Sequence, residues 1–276
     1  MAPVLYIGER GVCGTVQGTC VPWPFLPAAR KMTSVAQSAK PALPVWRAFR
    51  FIVVLCGLAA AFVAVLAYEI HWLTTPTEGQ TQGGALPVGS RKALVVLDVQ
   101  EDYTGTTARA PFPYASAGEL IARLNQLGAR AAASDIDVIY VRQVFQRPLS
   151  KVVSHLLLGG TVLPGSIGAE FDRRLQRVTP HVFEKPRSDA FSSNAFETFV
   201  RSRDIGELIL VGLDGAGCVD ITARGARNRG LAVTILADAV VARDAADWRA
   251  KRQEYPTLGI RVLDSARFEF SARGTR

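Results

Sequence analysis

Eighteen consecutive residues without a charge, FIVVLCGLAAAFVAVLAY at 51–68, set the first limit on what this chain can become. At about 1.5 Å per residue they make a helix of roughly 27 Å. That is close to the ~30 Å hydrocarbon core of a bilayer, and Ile70, Trp72 and Leu73 extend it. A buried core helix is the competing reading, but such helices carry an amphipathic period and this run is apolar on every side. Trp46 and Trp72 bracket it, where interfacial aromatics belong. Arg30, Lys31, Lys40, Arg47 and Arg50 precede it, whereas Glu69, His71 and Glu78 follow. The positive-inside rule then puts the N-terminus in the cytoplasm and everything beyond about residue 73 outside. A single-pass membrane anchor over 51–73 is expected. A cleaved signal peptide is the alternative, although its apolar region would be unusually long.

The span divides the chain. Residues 1–50 form a cytoplasmic segment without periodicity, expected to be disordered. Gly, Pro and Cys punctuate residues 1–31 without a pattern, and Met32 is the expected start of translation. The stretch TTPTEGQTQGGALPVGS at 74–90 reads as a flexible tether. Residues 91–276 suffice for one domain with a sizeable core. With 49% hydrophobic and 20% charged residues the chain is not globally disordered. The net charge of +8 comes with dispersed arginines such as Arg173, Arg174, Arg224, Arg227 and Arg229, without a dense basic run interleaved with aromatics. A nucleic-acid partner is therefore not expected. Of four cysteines only Cys218 lies beyond the span, so it has no disulfide partner inside the domain.

After residue 90, apolar runs alternate with helical periodicity. Strands are expected at 93–99 (ALVVLDV), 137–145, 181–185 (HVFEK), 207–212 (ELILVG), 232–241 and 260–263. Helices are expected at 119–134, 169–178, 195–204, 218–229 and 248–258. Repeated βα units imply a three-layer α/β/α fold around a mainly parallel, Rossmann-like sheet. In such sheets ligands sit at the carboxyl ends of the strands. Three chemically capable residues fall there: Asp98, Lys185 and Cys218. A helix N-terminus and a lysine both favour a thiolate, and a carboxylate can take the thiol proton. Taken singly, each has a plainer reading: a capping acid, a solvated lysine, an inert buried thiol.

The stretches VVLDVQEDY at 95–103, PGSIGAEFDRRL at 164–175, FEKPRSDAF at 183–191 and ILVGLDGAGCVDITARGARNRG at 209–230 together resemble the isochorismatase-like cysteine hydrolases, a family that includes nicotinamidases and N-carbamoylsarcosine amidohydrolases. The resemblance covers about residues 91–270. It implies a catalytic triad at Asp98, Lys185 and Cys218, a cis peptide at Leu213–Asp214, and an oxyanion hole from the backbone N–H groups of Asp214 and Cys218. It implies hydrolysis of a C–N bond in a small amide, ureide or carbamoyl compound through a thioester. It leaves the oligomeric state open, since the family commonly assembles. Phe112, Tyr114, Gln143 and Phe191 are the expected substrate-pocket residues. Arg142 and Arg147 are expected to face solvent rather than an anionic substrate.

Two departures from the family pattern matter. Its metal-dependent members carry an Asp-x-His pair and a further histidine near the second strand. Here that region reads VRQVFQRPLSKVVSHLLLGG, with His155 alone, so neither a metal nor another cofactor is expected. Asp214 and Gly215 replace a small apolar residue and a frequent threonine. A carboxylate beside an oxyanion hole opposes developing negative charge unless it turns away, and this motivates the alternative of a catalytically impaired, membrane-tethered small-molecule-binding domain. Dinucleotide binding is a further alternative, since Gly212, Gly215 and Gly217 lie between a strand and a helix. Their spacing, G-x-x-G-x-G, is not that of the dinucleotide fingerprint.

Overall fold

Strand β1 (Arg91–Leu97) alternates its side chains between two cores: Ala93, Val95 and Leu97 enter one, Leu94 and Val96 the other. A strand buried on both faces in this way is the signature of a parallel sheet covered by helices. The computed structural model describes residues 45–78, 89–105, 114 and 116–271. Contacts group the chain into two units, residues 1–53 and 54–276. The first is represented by helical residues only; the second holds the sheet.

Helix α1 (Val45–Thr74) begins six residues before the apolar run and ends after it. Within the second unit follow β1, α2 (Ala117–Ala133), β2 (Asp137–Gln143), α3 (Pro148–Leu157), β3 (Val182–Lys185), α4 (Asn194–Ser202), β4 (Ile205–Gly212), α5 (Asp220–Arg227), β5 (Ala232–Val240), α6 (Ala245–Glu254) and β6 (Ile260–Leu263). All six strands pair in parallel in the order β3-β2-β1-β4-β5-β6. The order reverses between β1 and β4, which opens a crevice at their carboxyl ends. Helix α2 covers one face through Leu120, Ile121, Leu124 and Leu127. On the other face Phe196 and Val200 of α4, Ala223 and Ala226 of α5 and Trp248 of α6 pack on the sheet.

Two expectations are corrected. Residues 169–178 are not a helix. Glu101 N–H donates to Glu170 O, Asp172 N–H to Val99 O, and Gln100 bridges Phe171, so the segment runs extended beside the loop after β1. Its Asp172 is buried, accepting from Thr104 and Arg174, and Leu175 still reaches the core without a helix. The tether is not loose at its start. Thr77 donates through its N–H and its hydroxyl to Asp189 (2.8 and 2.6 Å), and its carbonyl accepts from Asn228 and Arg229 (3.1 and 3.2 Å). Ser188 N–H donates to Leu73 O, and Arg187 donates to Thr75 O. Residues 73–77 are thus strapped to the domain, whereas residues 79–88 of the tether lie outside the described residues.

Candidate active site

Asp98 follows β1 directly and holds a left-handed φ of 56°. That conformation is uncommon outside glycine and concentrates at functional sites. Lys185 ends β3 and is fully buried, its ammonium 2.9 Å from Asp98 Oδ2. The same ammonium donates to Gln143 Oε1 (2.7 Å), Arg187 O (3.2 Å) and Cys218 Sγ (3.2 Å). Ends of β1, β2 and β3 and the turn after β4 therefore converge on one lysine.

Glycine makes the convergence physically feasible. Gly212 has φ 107°, and a Cβ there would lie 2.2 Å from Leu97 O. Without one, β4 ends close against β1, and Leu213 N–H donates to Leu97 O. A Cβ on Gly215 would meet Trp248 and Val240 at 2.9 Å. The Leu213–Asp214 peptide is cis, as the resemblance implies. Cys218 does not open an α-helix as expected: it lies in the turn Gly215–Val219, where Gly217 breaks helical geometry, and α5 starts two residues later.

Opposing effects act on the Cys218 thiol. Burial first, then the Asp98 carboxylate, push it up to about 12, against the pull of Lys185. Burial also raises Asp98, although Lys185 opposes it. Burial alone would lower Lys185, but the charges of Asp98 and Cys218 prevail and raise it. The three groups are electrostatically coupled, so a proton gained or lost by one shifts the other two. Besides Lys185, the Cys218 thiol and the Gln143 backbone approach the Asp98 carboxylate.

Asp214 has an occupation of its own. Its Oδ1 accepts from Ala216 N–H (2.9 Å), and its Oδ2 accepts from Tyr114 OH (2.9 Å) and Arg243 N–H (2.6 Å). The carboxylate caps the turn and is tied by three donors. Tyr114 is raised by burial first and then by this carboxylate, so it stays a neutral donor.

A cavity of about 510 Å³ opens over Cys218. Asp98, Gln143, Tyr114 and Asp214 line it, as do Tyr103, Phe145 and Arg243, which sequence reasoning did not single out. Tyr103 closes the quoted VVLDVQEDY stretch, which was its available signal. Gln143 Nε2 is buried without an acceptor on this wall. Phe191 is elsewhere: it is buried in the core against the Phe196 ring (5.0 Å) and beneath the Arg229 guanidinium (4.4 Å). Phe112 lies outside the described residues. Arg142 and Arg147 are not simply solvated. Arg142 pairs with Glu170 (2.5 Å) and Glu184 (2.7 Å), and Arg147 with Glu69 (3.4 Å).

The isochorismatase domain family matches residues 92–267. The fold is similar to that of an isochorismatase family protein from Desulfovibrio vulgaris (23% identity, TM-score 0.56, covering 63% of this chain and 94% of that one). It is similar to N-carbamoylsarcosine amidase from Thermoplasma acidophilum (23%, 0.55, 65% and 99%). It is also similar to a pyrazinamidase of Pyrococcus horikoshii in complex with zinc (20%, 0.55, 63% and 99%). No curated protein matches the chain. Among the described residues no three His, Cys, Asp or Glu side chains group to hold a metal ion. From the end of β2 onward the cavity wall includes Gln143, Phe145, Val153 and Leu157, none of them a side chain that zinc takes as a ligand.

Proposed function

The chain belongs to the isochorismatase family, and on that premise we propose that it is a cysteine amidohydrolase, acting on a small amide, ureide or carbamoyl compound with Cys218 as nucleophile. The observation that carries this reading is the Lys185 ammonium held at once against Asp98 and Cys218 in the crevice of the sheet. As the thiol sulfur attacks the substrate carbonyl, its proton passes to Asp98, whose pKa burial raises and so makes it a stronger base than an ordinary carboxylate. Lys185 holds the carboxylate in place and stabilises the thiolate as it forms. The N–H groups of Asp214 and Cys218 receive the oxyanion. Asp98 returns the proton to the departing amine, leaving a thioester. Water then attacks that thioester, Asp98 takes its proton, and the acid leaves as the thiol is restored. Gln143 Nε2, a buried donor without an acceptor, is available to the substrate.

The binding-domain alternative rested on Asp214. Its carboxylate is engaged by Ala216, Tyr114 and Arg243, which supports an oxyanion hole undisturbed by that charge.

The same reading makes α1 a single-pass anchor with a cytoplasmic N-terminus and an extracytoplasmic hydrolase domain. The helix has a segment, Phe49–Thr74, long and apolar enough to cross a membrane. Glu69, in its last turns, is wholly buried and accepts from Ser150 (2.5 Å). A cleaved signal would remove that partner, so the contact favours retention. Screening amides, ureides and carbamoyl compounds for ammonia release tests the chemistry. Release by the native chain and none by Cys218→Ser is expected. Equal release by both would refute the proposal.

A further inference from the structure

The cavity over Cys218 is built from two unlike walls. One is polar, with Asp214, Arg243, Asp244 and Asp247. The other is aliphatic and comes from two helices: Ile70 and Leu73 from the last turn of α1, Val153 and Leu157 from α3, with Leu158 just beyond. Leu73 is buried in a small cluster with Val144, Phe145, Val153 and Val162. The end of the anchor is therefore part of the substrate cavity.

It is fixed there rather than resting by chance. Glu69 accepts from Ser150 at the start of α3 and pairs with Arg147. The Trp72 ring lies beneath the Arg147 and Arg187 guanidinium groups at 4.1 and 4.8 Å. Helix α3 is thus clamped beside the last two turns of α1.

The outer face of α3 is unusual for a domain in water. Leu149, Val152 and Leu156 recur at helical spacing, and Val152 and Leu156 are 39% and 57% exposed. Leu157, on the cavity rim, is 52% exposed. An exposed apolar stripe with Lys151 and His155 beside it is the pattern of a helix that lies in a membrane interface. In the same unit, residues 54–68 of α1 are likewise exposed apart from the half-buried Leu66.

We infer that α3 rests in the outer face of the bilayer, and that the cavity takes amides bearing an alkyl chain, admitted from the lipid along the Ile70, Leu73 and Leu157 wall. The inference rests on the amidohydrolase and anchor readings above and deepens them by naming the substrate class. The reaction is RC(O)NH2 + H2O → RCOOH + NH3, the C–N bond breaking through the Cys218 thioester and the chain R lying on the aliphatic wall.

The test uses the full chain in phosphatidylcholine vesicles, with ammonia release from butanamide and octanamide. Each buried methylene is worth about fourfold in kcat/KM. If half of the four added methylenes are buried, octanamide exceeds butanamide about 15-fold. Leu157→Asp collapses that ratio toward one. The double variant V152D/L156D, changed outside the cavity, lowers octanamide turnover on vesicles and leaves butanamide turnover as it was. A ratio at or below one with butanamide still cleaved overturns the chain-binding inference and leaves the amidohydrolase reading standing. Octanamide turnover unaffected by V152D/L156D overturns entry from the bilayer. Ammonia from neither amide, nor from any amide, ureide or carbamoyl compound, overturns both readings together.

Discussion

Two of the buried ion pairs among the described residues differ in how completely they are satisfied. Arg229 and Glu197 meet through two parallel bonds (3.1 and 3.2 Å). The guanidinium also donates to Gly225 O and Thr77 O and covers the Phe191 ring. The pair at Lys185 and Asp98 is equally buried but unbalanced. Three ammonium hydrogens face four acceptors, and one of those acceptors is the Cys218 thiol sulfur. A planar guanidinium suits permanent two-point pairing, whereas a lysine is a point charge that can be shared. The first pair holds elements together. The second places a carboxylate, a thiol and a cation in contact, which is what acid–base chemistry needs.

The contrast is broken most sharply at the nucleophile. Cys218→Ser is expected to lower turnover by at least about 10⁴-fold, and Asp98→Asn by about 10²–10⁴-fold, with little change in melting temperature. Steady-state ammonia assays with thermal melts check both, and a large loss of stability in either variant would place these residues with the structural pair instead. Next in size, Arg229→Met leaves the buried Glu197 with only its longer contact to Arg201 (3.9 Å) and should cost about 3–5 kcal/mol, a drop of roughly 6–20 °C in Tm. Lys185→Met should abolish turnover yet lower Tm less, because burial already draws Asp98 toward its neutral form. The reverse order of the two Tm values would contradict the distinction drawn here. Thr77→Val removes one of two strap donors to buried Asp189 and should cost about 1.5–3 kcal/mol.

The smallest effect is on pH dependence. Asp98 holds its proton more tightly folded than unfolded, so its contribution to stability is full below the ordinary value of 3.8 and is lost as pH rises through the raised folded value. Stability of the native chain relative to Asp98→Asn should therefore decline over that window. Denaturant titrations at rising pH from 3.8 upward would show it, and a relative gain with rising pH would mean that Asp98 is stabilised as an anion.

Much of this was readable before any coordinates. The parallel sheet follows from both-face burial in runs such as ALVVLDV, and the convergence of Asp98, Lys185 and Cys218 follows from their places at strand ends. What escaped reading depends on distant partners. The periodicity of residues 169–178 is helical, yet hydrogen bonds to residues 99–101 hold the segment extended. Helix α3 lies in a stretch read only for its missing metal ligands. Phe191 is an expected pocket residue, but the short turn Ala190–Ser192 sets it in the core beside Arg229. Nothing local in HWLTT shows that Leu73 will line a cavity with residues 70 to 145 positions away.

The account stands or falls on Cys218 carrying the acyl group. Acid quenching during turnover of a cleaved amide, followed by mass spectrometry of the peptide containing Cys218, tests it directly. The account predicts an acyl adduct on Cys218 that forms in the native chain and is lost in Asp98→Asn and Lys185→Met. Ammonia release at full rate with Cys218 unmodified throughout would contradict it.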